Sequence, residues 1–385
     1  MRILYISNSS SVSGAPAALA NIVGQLHGRH EVAVMLPDTD GPLYKLLSDM
    51  GVRCYVGPKY NLTIWPRVLN PVKFIRRICA LTTGMRKVRG FVSEIIDEFR
   101  PDVVHTNVGP LDVALDACVE RGIPHVWHLR EFQAGMRFWP SRTAFRKKIH
   151  HSLNRSIAIT SCVAEYWGLR DVDTVIYDGV KVDVQQDRQL RLSEDYLLSV
   201  GRIEKNKGVL ELLRAYRIYR KKGGTARLKI VGRSSLLYGL RCRIYARLHK
   251  LGSSVEFLGH RDDVSALMSA AAALVVSSVT EGFGLASVEA MLCGCPVIGN
   301  DSTGMKEQFD IGREFTGQEI GLRYRGAAQL AERMLEVTSE QFDRGQMCLG
   351  AKETVISKYN LSDRVDDLEK YYLSILEVKK CVLEY

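Results

Sequence analysis

Short apolar runs alternate along the chain with longer stretches of helical period. Ile3-Leu4-Tyr5-Ile6 precedes a periodic segment from Ala15 to Leu26, and the same alternation recurs to about residue 300. The pattern predicts strands at 2–6, 31–36, 52–56, 102–105, 125–129, 156–160 and 174–177, then at 196–200, 227–231, 254–258, 273–277 and 296–299. Runs this apolar suit strands covered on both faces, and the intervening helices supply the crossovers that parallel strands require. The predicted fold class is therefore α/β, with two doubly wound domains. The polar, aperiodic stretch at 181–194 marks the expected boundary, giving domains at 1–180 and 190–361. A last amphipathic helix is predicted at about 362–378, within a C-terminal segment of about 362–385.

Length agrees with two domains: 385 residues at 46% apolar content bury two cores more readily than one. No apolar run approaches the roughly 20 residues that span a bilayer, and Ile3 to Ile6 is too short for a signal-peptide core. The expected location is cytoplasmic. Nine scattered cysteines without paired C-x2-C spacing indicate reduced thiols, and Cys293-x-Cys295 reads as small buried residues between a helix and a strand.

The densest chemistry lies at Glu281-Gly282-Phe283-Gly284-Leu285-Ala286-Ser287-Val288-Glu289, directly after the run Ala273-Leu274-Val275-Val276. Gly282 and Gly284 let a backbone turn tightly against a ligand, and the helix that follows offers its amides to an anion. Glu281 in the loop and Glu289 one turn into the helix suit a polyhydroxylated ligand, because carboxylates accept hydroxyl hydrogen bonds at charge-assisted strength. Upstream, Gly201-Arg202-Ile203-Glu204-Lys205-Asn206-Lys207-Gly208 follows the strand at 196–200, and Arg202 and Lys207 read as a clamp for a pyrophosphate.

These two segments resemble the donor site of the retaining glycosyltransferases of family 4, also called glycosyl transferases group 1, which have the GT-B fold of two Rossmann-like domains facing each other across a cleft. Further stretches follow the same order: Met1 to Ser7 with Gly14, Pro101 to Thr106, His125 to Arg130, Asp178-Gly179-Val180, Leu228 to Gly232 and Phe257-Leu258-Gly259. The resemblance implies an N-terminal acceptor-binding domain onto which the last helix returns, and a C-terminal domain for the nucleotide sugar. It implies that Glu281 holds the donor sugar hydroxyls, that Glu289 holds the ribose and that the backbone of Phe283 and Leu285 holds sugar and phosphate. Arg202 and Lys207 would stabilise the leaving pyrophosphate, and His128 would contact the sugar near the reacting centre. Gly14 and Gly232 would allow close phosphate approach, while His105 is a weaker candidate. Arg130 and Glu131 would line the acceptor side. Departures from the family pattern are Asp178, where asparagine is usual, and Asp301-Ser302-Thr303-Gly304-Met305-Lys306-Glu307, which lacks the usual proline and paired glycines.

The expected activity is metal-independent transfer with retention, from a UDP-, GDP- or ADP-type nucleotide sugar to a glycan acceptor, lipid-linked, in cell-surface polysaccharide or glycolipid synthesis. No cofactor is expected. Both glutamates come from one segment, whereas double displacement needs an acid and a nucleophile on opposing sides of the sugar. Attack from the leaving-group face, with the phosphate taking the acceptor proton, is what the resemblance implies. Two other readings stay open: a sugar-nucleotide epimerase or phosphorylase on the same scaffold, and a catalytically degenerate scaffold partner. Asp38-Thr39-Asp40 is a D-x-D that elsewhere binds metal, and here it reads as loop punctuation.

The net charge of +10 is unevenly spread. No acidic residue falls between Asp49 and Glu94, while Arg53, Lys59, Arg67, Lys73, Arg76, Arg77, Arg86, Lys87 and Arg89 are basic, with Trp65, Phe74, Ile75, Ile78 and Leu81 interleaved. A second cluster holds Arg137, Arg142, Arg146, Lys147 and Lys148. A basic amphipathic face of this kind fits an anionic membrane surface, which would make the protein peripheral on the inner face of the membrane. No motif for nucleic acid accompanies it.

Overall fold

The computed structural model describes residues 1–12, 14–60, 62–66, 70–132, 138–182 and 195–383, with side chains as far as Val378. Most of the boundary stretch at 181–194, along with Arg67 and Arg137 of the basic clusters, lies outside the described residues. The chain divides into two compact units, one of Met1–Gly179 with Leu361–Tyr385 and the other of Val180–Asn360.

The first unit is built on a parallel sheet of β1 (Arg2–Ile6), β2 (Glu31–Leu36), β3 (Arg53–Val56), β4 (Val103–Thr106), β5 (His125–Leu129), β6 (Asn154–Ala158) and β7 (Thr174–Val175), in the order β3-β2-β1-β4-β5-β6-β7. Side chains alternate across it. Ile3 and Tyr5 join a core with the helices Ala15–Leu26 and Leu361–Leu383, while Leu4 and Ile6 face Val88, Val92 and Ile96 of the helix Met85–Phe99. The helix Leu361–Leu383 contributes Leu361, Val365, Leu368, Tyr372 and Ile375, the three-four spacing of one buried stripe. Each such side chain contributes about 1.5–3 kcal/mol on burial, which is how this segment becomes part of the first unit.

The second unit has β8 (Tyr196–Val200), β9 (Arg227–Val231), β10 (Val255–Gly259), β11 (Ala273–Val276), β12 (Val297–Asn300) and β13 (Leu322–Tyr324), parallel in the order β10-β9-β8-β11-β12-β13. The strands depart from the sequence reading mainly at three places. β6 starts and ends two residues earlier than predicted, β7 ends two residues earlier, and β13 was not predicted, because a three-residue edge strand has too little apolar period to stand out. In each unit the strand order reverses at one point, between β1 and β4 and between β8 and β11. Loops diverge there at the carboxyl ends, leaving room for a ligand.

Candidate active site

In the second unit, the segments singled out in the sequence flank the reversal point. Val200 ends β8 and leads into Gly201-Arg202, while Val276 ends β11 and leads through Ser277 to Glu281. Gly208 joins the two loops. Its φ is 66°, and a Cβ there would lie 1.8 Å from the Ser277 carbonyl oxygen, so only glycine permits this approach. Ser277 Oγ donates to the Lys207 carbonyl at 2.8 Å, and Lys207 Nζ donates to Glu281 Oε2 at the same distance. The Glu281 side chain is 15% exposed and that of Lys207 30%, so the pair is shielded but reachable.

Arg202 takes another direction. It pairs with Glu204 at 3.2 Å and is 64% exposed, so the two basic residues expected to clamp together have separate partners. Gly232, at the end of β9, donates from its amide to the Gly259 carbonyl at 2.7 Å, and a Cβ at Gly232 would lie 1.9 Å from the Gly201 carbonyl oxygen. The loop carrying Arg202 is thereby pressed onto the end of β9.

Glycine precedes both helices that leave these loops, Val209–Lys221 and Leu285–Leu292; in the first the Tyr238 hydroxyl accepts from the Leu210 amide at 3.2 Å, and at neither does the N-cap residue supply a side-chain cap. Helix N-termini carry partial positive charge that suits phosphate oxygens. Gly284, with φ 94°, sets the direction of the second helix. Phe283 is buried, its ring 5.2 Å from that of Tyr359, and its carbonyl accepts from Gln308 Nε2 at 2.6 Å. Leu285 is half-buried at the first helical position. Glu289 is exposed on the helix, yet the protein around it desolvates its carboxyl and raises it above the usual carboxylate value.

The Asp301–Glu307 turn also holds this loop. Thr303 Oγ1 accepts from the Glu281 amide at 3.0 Å, and the Gly304 amide donates to the Glu281 carbonyl at 3.0 Å. Asp301 holds Arg323 at 3.2 Å and Arg325 at 2.8 Å.

In the first unit, His128 of β5 is buried, with the ring 2% exposed. It sits 5.4 Å from the His105 ring, and its Nδ1 lies 3.4 Å from Arg130 Nη2. Arginine only donates, so Nδ1 is the acceptor and the His128 proton sits on Nε2, which has no partner among the described residues. Burial drives both imidazoles well below the usual histidine value, and the nearby Arg130 charge adds to this. Arg130 Nη1 lies 2.5 and 2.7 Å from the two Asp178 oxygens, while its Nε donates to the Asn107 carbonyl at 3.1 Å. The unusual aspartate therefore answers a buried arginine. His105 Nδ1 lies 2.6 Å from the Tyr372 hydroxyl, which is 2.9 Å from that of Tyr5. Gly14 starts the helix Ala15–Leu26 at φ 62°, with no side-chain cap. Asp38 accepts from Ser10 Oγ and Asp40 lies 3.8 Å from Lys59, so the two D-x-D carboxylates face different partners.

The family Glycosyltransferase Family 4 matches residues 12–184, and Glycosyl transferases group 1 matches residues 182–347. The chain belongs to glycosyltransferase family 4. Its two sheets are the Rossmann-like domains of the GT-B fold. Among relatives of this glycosyltransferase, glycogen synthase of Mycobacterium tuberculosis is 27% identical over 297 residues, covering 72% of this chain and 69% of the relative. N-acetyl-alpha-D-glucosaminyl L-malate synthase of Bacillus anthracis is 26% identical over 189 residues, covering 49% of this chain and 48% of the relative, about half its length. The structure of Anabaena Alr3699/HepE in complex with UDP and glucose superposes with a TM-score of 0.75 at 20% identity, covering 97% of this chain and all of the other.

Thr303, Gly304, Ser287 and Gln308 were not predicted as site residues of the glycosyltransferase. Ser287 Oγ lies 2.6 Å from Gln308 Oε1, and together they fasten the Phe283-Gly284 corner. Serine and glutamine on helices are too common to signal a role, and only proximity in the fold singles them out.

Proposed function

We propose that this glycosyltransferase moves a sugar from a nucleotide-sugar donor to a glycan acceptor, with retention at the anomeric carbon and without a metal. The observation that carries the reading is the Lys207–Glu281 ion pair at the carboxyl ends of neighbouring strands β8 and β11, beside two helix starts led by glycine. The helix termini and the cations Lys207 and Arg202 suit a diphosphate on which negative charge grows as the glycosidic bond breaks. Glu281, oriented by Lys207, accepts hydrogen bonds from the donor sugar, and Glu289 accepts them from the ribose. Glu281 and Glu289 belong to one loop and the helix that follows it, which favours front-face attack, with the leaving phosphate accepting the acceptor proton. The D-x-D carboxylates face different partners instead of converging, which supports the metal-free part, and the UDP-glucose complex of Anabaena Alr3699/HepE supports a UDP-type donor.

For the acceptor, a cavity of about 540 Å³ in the first unit is lined by Arg86, Arg89, Lys148, Thr82 and Trp139. Trp139 lies 4.4 Å from Trp65, an aromatic surface on which a sugar ring can rest beside cations. The nearby helix Pro71–Cys79 has no buried residue, and its Val72 and Ile75 are 65% and 61% exposed among Lys73, Arg76 and Arg77. That face favours a lipid-linked acceptor at an anionic membrane. Among the described residues no helix is long and apolar enough to cross one.

Thermal-shift measurements with UDP, GDP, ADP and CDP, each repeated with EDTA, test the donor site, since a ligand of the native state raises the midpoint. One nucleotide is expected to give an EDTA-insensitive shift; no shift with any of them overturns the donor reading. Product analysis separates transfer from epimerisation of the free donor.

A further inference from the structure

The helix Leu236–Leu248 of the second unit carries small residues on its buried side and large ones outside. Gly239, Cys242 and Ala246 face the core. Leu236 is 85% exposed, Leu237 81%, Leu240 52%, Ile244 48% and Leu248 74%. At 3.6 residues per turn these five fall within an arc of about 120°, away from the core side. Arg243 lies just outside one edge of the arc, Arg247 just inside that edge, and Arg241 just outside the other. Scattered exposed leucines are ordinary, but a continuous stripe along a whole helix marks a surface that is covered in use.

Charge decides what covers it. From Arg233 to Val255 there is no acidic residue, while Arg233, Arg241, Arg243, Arg247 and Lys250 are basic. A second copy packed helix to helix across a two-fold axis would set arginines against arginines, with no carboxylate on the helix itself to answer them. A bilayer bearing anionic headgroups satisfies leucines and arginines together. We propose that the helix Leu236–Leu248 is a membrane-docking surface that sets its leucine face into the headgroup layer of anionic phospholipid. It is a contact separate from the Pro71–Cys79 helix and rests on none of the donor-site reading. It bears on the donor site because the loop leading into it is tied to the Arg202 loop, with the Ile203 amide donating to the Arg233 carbonyl at 2.9 Å and the Ser235 amide to the Ile203 carbonyl at 3.3 Å. Docking would hold that loop close to the lipid surface.

The test is co-sedimentation of the full chain with vesicles of phosphatidylcholine, alone or mixed with phosphatidylglycerol, at low and high salt. The parent is expected to bind only the mixed vesicles. The triple variant Leu237→Ser, Leu240→Ser, Leu248→Ser should bind them about tenfold more weakly, and the pair Arg241→Glu, Arg247→Glu should lose most of the salt-sensitive binding. These positions are exposed, so native melting behaviour confirms that the variants fold. Parent-like binding by the triple variant overturns the proposal, as does complete loss of binding in Val72→Ser, Ile75→Ser alone. If the triple variant instead turns a dimer into a monomer in sedimentation, with vesicle binding unchanged, a second copy covers the face and the proposal is wrong. Nucleotide shifts recorded on the same samples report the donor reading separately.

Discussion

Lys207 and Glu281, 74 residues apart in sequence, form a 2.8 Å ion pair that ties the loop after β8 to the loop after β11. The cation that suits a pyrophosphate is thus also the group that orients the carboxylate suited to a sugar. A ligand entering there meets a prearranged pair, which lowers the reorganisation required at the moment of reaction.

Lys207→Ala should lower kcat/KM by roughly 2–4 kcal/mol in transition-state free energy, as removing a donor to a developing anion typically does. Because the residues touch, Lys207→Ala and Glu281→Ala should be non-additive in a double-mutant cycle on kcat/KM. Strict additivity would mean that the pair does not act as a unit.

Gly284→Ala should impair transfer more than folding. The new methyl would lie 3.3 Å from Glu281 Cγ and 3.0 Å from Ser287 Oγ, at a φ of 94° that L-residues disfavour. The backbone cost is about 1–3 kcal/mol, visible as a lower melting midpoint. Displacement of Glu281 should appear as a larger loss in kcat/KM, and unchanged kinetics would contradict the link between Gly284 and Glu281.

Glu289→Gln should raise KM for the donor with kcat nearly unchanged, since a ribose contact is equally present in ground and transition states. A fall in kcat at constant KM would remove the ribose role.

Asp178→Ala should destabilise the first unit by about 3–5 kcal/mol, because it leaves the buried Arg130 charge unanswered. Adding Arg130→Met should recover part of that loss in denaturant unfolding. If the second substitution only adds to the damage, the pair is not what matters there.

Acid should weaken the first unit before it affects nucleotide contacts. His105, His125 and His128 are buried neutral, with folded values below the ordinary 6.5; burial pushes His125 down to about 4. Their neutral forms stabilise the fold fully above the unfolded value, and stability is lost as pH falls from about 6.5 towards the folded values, by up to ~1.4 kcal/mol per pH unit for each ring. Melting midpoints across that range should fall, and more gently in His105→Gln. A flat profile would show that these rings are not buried neutral.

The α/β class, twelve of the strands and the loops that carry Lys207 and Glu281 were legible because they depend on local signals. Apolar runs such as Ile3–Ile6 and Ala273–Val276 state their own burial, and Gly282 and Gly284 announce a turn wherever they occur. The sequence by itself determined that cations and carboxylates lie in loops after strands, which is where doubly wound sheets bind ligands. Only the tertiary structure decided the pairing: Lys207 with Glu281 rather than with Arg202, Asp178 with Arg130, and Thr303 and Gly304 on the backbone of Glu281. His128 shows the same limit, since strand period placed it on β5 while the packing of Arg130 and His105 around it set its burial and tautomer. The physical reason is range. Propensity and periodicity act over a few residues, whereas an ion pair or a buried hydrogen bond is fixed by which strands become neighbours, and strand order is settled by the packing of the whole sheet.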